Sequence, residues 1–229
     1  MRGMTVTRDI RALWASAQAV CFDVDSTVSP DEGIDLLAAQ AGVGDRVAAL
    51  TRDAMGGAVP FEDALRARLA LIRPSRELIA SCLAAHPPRL TPGVADLIAA
   101  LTARGTHVYL VSGGFTEMIH PLAERLGIPP VRVFANVLQF TREGRYLGFD
   151  PDVFTSRSGG KAAALQHLKS HFGYAPLLMV GDGVTDLEAR PPADGFIGYG
   201  GVVVREPVRR GADWFVTDFA ELRAALPAA

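Results

Sequence analysis

Cysteine is scarce: two thiols, Cys21 and Cys82, occur in 229 residues, too few for the disulfide framework of a small secreted domain. Cys21 falls inside an apolar run and Cys82 inside a helical pattern, so both read as small core residues. Basic charge is not in excess. Lys and Arg total 23 against 25 Asp and Glu, a net charge of -2, which leaves no electrostatic footprint for nucleic acid. No stretch approaches the roughly 18 consecutive apolar residues of a membrane span, and Met1 to Ile10 lacks the apolar core of a signal peptide. Low-complexity tracts and internal repeats are missing as well. What remains is the expectation of a soluble, cytoplasmic enzyme whose partner is a small molecule, not a nucleic acid or a membrane. The composition leaves dimerisation open, and a homodimer is kept as a candidate assembly.

What is present is enough apolar sequence, 49% of the chain, to bury a substantial core. Met4 to Ser16 reads as a short leading helix, followed by a first strand over Val20 to Val24. From Asp31 to Ala85 apolar residues recur at helical spacing, interrupted at Gly56 to Pro60 and at Arg73-Pro74-Ser75. After Pro92 helices and strands alternate. Strands are predicted over Thr106 to Ser112, Val131 to Phe134, Leu177 to Val180, Phe196 to Tyr199 and Trp214 to Thr217. Val137 to Phe140 and Arg145 to Phe149 read as a hairpin around Glu143-Gly144. This rhythm predicts an α/β fold, Rossmann-like, with a parallel sheet and helices on both faces. It divides into a core over 1–28 and 91–229 and a small helical cap over 29–90.

Asp23-Val24-Asp25-Ser26-Thr27 is the most informative stretch. Strand alternation points its two carboxylates the same way, at the strand end where an open α/β sheet places its chemistry. Three other segments fall at predicted strand ends or the loops and helices after them: Ser112-Gly113-Gly114, Lys161, and Gly181-Asp182-Gly183-Val184-Thr185-Asp186. Parallel, adjacent strands bring all four to one edge. Several carboxylates in one crevice favour a hard divalent cation, Mg²⁺ best of all when a phosphate shares the site. The Gly-rich turn after Ser112 can aim amides at anionic oxygens.

Quieter readings compete. An EF-hand wants glycine and glutamate at its sixth and twelfth places, where this chain has Val28 and Ile34. Gly159-Gly160-Lys161 lacks the spacing of a phosphate loop and its Ser/Thr. His167 and His171, four apart on one helix, have no third ligand and read as a surface pair. Glu32 and Arg68 can be an internal salt bridge, Met55 core filler, and Asp186 a helix cap.

Asp23-x-Asp25-x-Thr27, Ser112 after its strand, Lys161 opening a helix and Gly181-Asp182-Gly183-x-x-Asp186, in that order, resemble the haloacid dehalogenase (HAD-like) superfamily in its phosphatase branch. Within it the chain is similar to the phosphoserine phosphatase family. Phe22 to Val28, Glu32 to Asp35, Met55 to Phe61, Arg68-Leu69, Ser112 to Phe115, Ser158 to Lys161 and Gly181 to Gly183 carry that likeness over about residues 12 to 226. The resemblance implies hydrolysis of O-phosphoserine to L-serine and phosphate, the last step of phosphorylated serine biosynthesis. Another small phosphomonoester is the alternative substrate. It implies Asp23 as nucleophile, forming an aspartyl-phosphate, and Asp25 as the acid that protonates the leaving serine oxygen and then activates water. Mg²⁺ would be held by Asp23, Asp182 and the Asp25 backbone carbonyl. Ser112, Gly113, Gly114 and Lys161 would hold the phosphoryl oxygens, with Thr185 near them and Asp186 behind, orienting Lys161 or a metal-bound water. Glu32 would take the substrate ammonium and Arg68 its carboxylate. Met55 and Gly56 would close the pocket, and Arg205 would stand near the substrate.

Overall fold

The computed structural model describes residues 9–55 and 59–227, with the backbone alone at 52–55. In chain order its elements are α1 (Ile10–Ala15), β1 (Ala19–Phe22), α2 (Gly33–Gln40), α3 (Gly44–Met55), α4 (Phe61–Ile72), α5 (Arg76–Ala85), α6 (Val94–Ala103), β2 (His107–Phe115) and α7 (Thr116–Arg125). There follow β3 (Val133–Asn136), β4 (Leu138–Phe140), β5 (Tyr146–Phe149), α8 (Gly160–Phe172), β6 (Leu177–Gly181), α9 (Val184–Leu187), β7 (Gly195–Tyr199), α10 (Glu206–Gly211), β8 (Trp214–Val216) and α11 (Phe219–Ala224). Six strands form one sheet in the order β3-β2-β1-β6-β7-β8, and every adjacent pair is parallel. β4 and β5 make the separate antiparallel hairpin.

The strand order places the chemistry. From β1 the chain builds outward through β2 and β3 on one side, then returns to add β6, β7 and β8 on the other. The reversal lies between β1 and β6, and a crevice opens at the carboxyl ends of strands at such a switch point. Asp23 follows β1 and Asp182 follows β6, so the two acids flank that crevice.

β1 is buried on both faces, as a central parallel strand must be. Val20 and Phe22 pack with Leu110, Val180 and Ile197 beneath α6 and α11, which contribute Leu97, Leu101, Phe219 and Leu222. Ala19 and Cys21 pack on the other face with Val111, Met179 and Phe196 beneath Ala164, Leu165 and Leu168 of α8. Alternation along one four-residue strand therefore feeds two cores. Truncating the fully buried Phe22 would cost about 3–5 kcal/mol by the usual scale for core aromatics. α1 is tied on by the Trp14 indole, which donates to the Leu222 carbonyl at 2.9 Å.

Four helices, α2 to α5, are inserted between β1 and α6. They enclose a third core of Leu37, Val47, Leu65, Leu69, Ile72, Ile79 and Cys82, which meets the sheet domain at Phe115 and Met118 and the hairpin at Leu138. The continuous helical pattern after Asp31 is two helices, broken where Gly42 takes φ +70, a conformation cheap only for glycine. The first strand ends two residues before its predicted limit, because Asp23 to Val28 coil tightly with Ser26 in the left-handed region at φ 54. β2 runs three residues past Ser112. α9 and α10 are too short to leave a periodic signature. The predicted leading helix is seen from Ile10; its Met4 end lies outside the described residues, as does Gly56. Among the described residues no helix is long and apolar enough to cross a membrane.

Candidate active site

Asp23 leaves β1 with its amide still in the sheet, donating to the Val180 carbonyl at 2.9 Å. Its carboxylate Oδ1 accepts from the Val24 amide at 2.7 Å and lies 2.8 Å from Lys161 Nζ. Lys161 comes from the first turn of α8. The same ammonium donates to Asp186 Oδ1 at 2.5 Å, and Asp186 Oδ2 accepts from the Gly183 amide at 2.9 Å. One buried lysine thus bridges two carboxylates. Burial works against its charge, but Asp186 and Asp23 more than offset that, so its pKa rises and it stays an ammonium. Asp186, fully buried, is pushed above the usual carboxylate range by burial and by Asp23, against the pull of Lys161.

Asp182 completes the cluster. Its Oδ1 accepts from the Thr27 hydroxyl at 3.0 Å and its Oδ2 from Arg205 Nε at 2.9 Å. Burial and the neighbouring Asp23 raise its pKa, while Arg205 and Thr27 oppose. Carboxylate oxygens of Asp23, Asp182 and Asp186 lie within 4.8 Å of one another. Hard oxygen donors at this spacing, all buried, suit a hard divalent cation. The charge balance agrees: Asp23, Glu32, Asp182 and Asp186 share Lys161 and Arg205 as their ion-pair partners among the described residues, a surplus of carboxylate that a cation would neutralise.

Asp25, two residues on from Asp23, meets different surroundings. Its Oδ1 accepts from the Gly33 amide, the first of α2, at 2.7 Å, and its Oδ2 accepts from the Ser112 hydroxyl at 3.4 Å. Burial first, then Glu32 and Asp23, push its pKa up to about 7, against the Gly33 bond and Lys161. The two members of the opening pair are therefore chemically distinct. Asp23 is held against an ammonium, whereas Asp25 retains a proton into the neutral range.

Ser112, buried in β2, accepts from the Gly114 amide at 2.9 Å. The pairing of β2 with β3 shifts register between Val111 and Phe115, so Ser112-Gly113-Gly114 leaves the regular ladder, a device frequent beside active sites. Gly114 must be glycine, since a Cβ there would lie 2.8 Å from Asp25 Oδ2. Asn136, fully buried at the end of β3, donates to the Gly113 carbonyl at 2.8 Å and accepts from Thr155 at 3.2 Å.

The inserted helices supply the other polar groups. Glu32, which begins α2, accepts from the Ser26 hydroxyl at 2.7 Å and lies 3.8 Å from Arg205 Nη2. Burial raises its pKa against the Ser26 bond. Arg68, half-buried in α4, donates Nε to the Ala64 carbonyl at 3.2 Å and pairs with no carboxylate among the described residues. Burial lowers its pKa, and the fields of Asp35 and Glu32 resist. Glu32 and Arg68 therefore do not form the internal salt bridge that was one reading of them. Thr185 is exposed at the start of α9. The Met55 side chain and Gly56 lie outside the described residues. A groove of about 710 Å³ between α5 and α7, lined by Leu83, His120 and Pro129 among others, contains none of these residues.

Asp23, Lys161 and Asp186 are bonded in one group, Asp182, Arg205 and Glu32 in a second and Asp25 with Ser112 in a third, and the first two meet where the carboxylate oxygens of Asp23, Asp182 and Asp186 converge. Sequence reasoning gave no role to Ser26, Thr27 or Asn136. The first two lie inside the opening motif, where the left-handed Ser26 was the missing signal; Asn136 had none beyond its place at a strand end.

A sequence model of haloacid dehalogenase-like hydrolases matches residues 17–194. The phosphoserine phosphatase of Bos taurus is 53% identical over 218 residues, which cover 95% of this chain and 97% of that protein. Among solved structures, a phospho-aspartyl intermediate analogue of phosphoserine phosphatase aligns with a TM-score of 0.79 at 27% identity, over 92% of this chain and 99% of that one. The structure of DsGPDH of Dunaliella salina aligns with a TM-score of 0.84 at 40% identity, over 95% of this chain but only 37% of that longer one.

Proposed function

The chain belongs to the haloacid dehalogenase-like hydrolases and, within them, to the phosphoserine phosphatase family, and from that premise we propose that it hydrolyses O-phospho-L-serine with Mg²⁺, releasing L-serine and inorganic phosphate. The observation that carries the mechanism is the contrast between Asp23 and Asp25. Asp23, against Lys161 at 2.8 Å, is the ionised nucleophile: its carboxylate oxygen bonds to phosphorus as the serine ester bond breaks. Asp25, with its pKa near 7, gives a proton to the departing serine oxygen. It then takes a proton from the water that attacks the aspartyl-phosphate, which returns Asp23 and frees phosphate. Lys161, the Ser112 hydroxyl and the Gly113 amide hold the phosphoryl oxygens, with Gly114 beside them bonded to Ser112, and Asp186 fixes the lysine through the 2.5 Å bond.

Mg²⁺, held by Asp23, Asp182 and the Asp25 carbonyl, would offset phosphoryl charge as the transition state forms. The oxygen cluster supports such an ion. Glu32 takes the substrate ammonium and Arg68, which pairs with no carboxylate among the described residues, takes the substrate carboxylate as a fork. Residues 29–90 act as the cap over a core of 1–28 and 91–229, with Thr185 and Arg205 at the rim of the pocket. A cap has a purpose here, since water must be kept out during phosphoryl transfer and admitted afterwards. The product makes the reaction the final step of a route to serine, consistent with a cytoplasmic enzyme. The test is phosphate release from O-phospho-L-serine with Mg²⁺ and with EDTA. Turnover only with the metal is expected; no release under either condition would refute the proposal.

A further inference from the structure

α4 begins without a cap of its own. Pro60 precedes it and supplies no side-chain bond, so the first amides of the helix need partners from elsewhere. Ser158 supplies one: the Phe61 amide donates to its hydroxyl at 3.3 Å, across 97 residues of chain. The contact is reciprocal, because Glu62 Oε2 accepts from the Ser158 amide at 3.1 Å and from its hydroxyl at 3.0 Å. These three bonds follow the logic of a capping box, with the serine borrowed from a distant segment. The Glu62 amide, then the two Ser158 donors, hold the Glu62 carboxyl below the usual range.

Both ends of the contact lead into the site. Ser158 stands three residues before Lys161, and the path between them is fixed. Gly160 admits no side chain, since a Cβ there would lie 2.2 Å from the Phe154 carbonyl oxygen. On the other side Phe61 lies over the Ser112-Gly113-Gly114 turn, where a Cβ on Gly113 would be 3.2 Å from Phe61 Cζ. Arg68 is carried about two turns further along the same helix.

We propose that Glu62 and Ser158 are a latch, which docks the start of α4 on the Lys161 loop and thereby positions Phe61 and Arg68 over the bound phosphomonoester. This rests on the function proposed above and adds two positioning residues to it. The latch lies outside the reacting atoms and must open to exchange product for substrate. Its loss reduces the fraction of molecules competent to bind, which lowers apparent affinity by that fraction and leaves the chemical step alone.

Glu62→Ala and Ser158→Ala are each expected to raise KM for phosphoserine about 3- to 10-fold, the range that an ordinary net hydrogen bond converts to, with kcat changed less than about 2-fold. The double variant should fall short of the product of the singles, because both remove the bond between the Ser158 hydroxyl and Glu62. Ser158→Thr, which keeps the hydroxyl, should restore KM. An aryl phosphate without an amino-acid headgroup should feel the variants less, since Arg68 has nothing to grip. Unchanged KM in both single variants, or effects that multiply in the double, would overturn the latch. If the wild type releases no phosphate from phosphoserine, the functional reading falls on its own. The latch is then judged by hydrogen exchange, where Glu62→Ala must speed exchange of the first α4 amides over wild type, and unchanged protection refutes it.

Discussion

Replacing Lys161 by methionine separates what the lysine does for the fold from what it does for chemistry. Its Nζ lies 2.8 Å from Asp23 and 2.5 Å from Asp186, with 8% of the residue exposed. Lys161→Met keeps most of the packing and leaves two buried carboxylates facing each other without their cation. Removing one partner of a buried ion pair costs about 3–5 kcal/mol. With a urea dependence of about 3 kcal/mol per M for a chain this size, the unfolding midpoint should fall by about 1–2 M. The second variant is the control. Lys161→Met with Asp186→Asn removes one of the stranded charges and should recover more than half of the loss. Turnover should not recover, because neither variant has the ammonium that holds the phosphoryl group, and both should fall by at least about 10²-fold in kcat. The assay is urea unfolding followed by circular dichroism in EDTA, beside phosphate release with Mg²⁺. If Lys161→Met costs less than about 1 kcal/mol, or if the double variant is no more stable than the single, the lysine is not the charge partner described here.

Two further outcomes follow from the contrasts within the site. The folded chain holds the Asp25 proton more tightly than the unfolded chain does, with a pKa near 7 against 3.8. The stability this provides is therefore complete below about pH 4 and is lost as pH rises through 7. About three units correspond to an upper limit of about 4 kcal/mol, so in EDTA Asp25→Asn should gain about 2 kcal/mol on wild type between pH 4 and pH 8. Melting curves that show a constant difference across that range would contradict the raised pKa. Arg68→Ala should raise KM for phosphoserine by about 10²-fold or more through loss of a bidentate ion pair, and should change an aryl phosphate by less than about 3-fold. Equal losses on both substrates would remove Arg68 as the reader of the carboxylate.

How far the sequence alone reaches is clear from particular residues. A buried first strand is legible from the apolar run that leads into Asp23, predicted over Val20 to Val24 and found at Ala19–Phe22, and the alternation after Pro92 is enough to give the parallel sheet. The gathering of Asp23, Lys161, Asp182 and Asp186 follows from that topology, because parallel strands end on one edge. What escaped is what depends on tertiary context. Ser26 adopts a left-handed conformation that propensity does not foretell, and from there its hydroxyl reaches Glu32. Thr27 finds Asp182 across 155 residues, and Ser158 caps a helix whose own cap position is a proline. Asp23 and Asp25, given separate roles in the sequence by the family resemblance alone, are told apart physically by the Lys161 ammonium on one and by burial beside Glu32 and Asp23 on the other.

The chemistry proposed for Asp23 requires that it become phosphorylated during turnover. The direct measurement is to mix the Mg²⁺-loaded protein with radiolabelled O-phospho-L-serine, quench in acid within the first turnover, count the bound label, and locate its site by peptide mass spectrometry after borohydride reduction, which expels the phosphate and leaves the phosphorylated aspartate as homoserine. One phosphoryl group per site, on Asp23 alone and absent from Asp23→Asn, is the expected result. Turnover with the label on another residue, or an Asp23→Asn variant that hydrolyses phosphoserine at the wild-type rate, would contradict it.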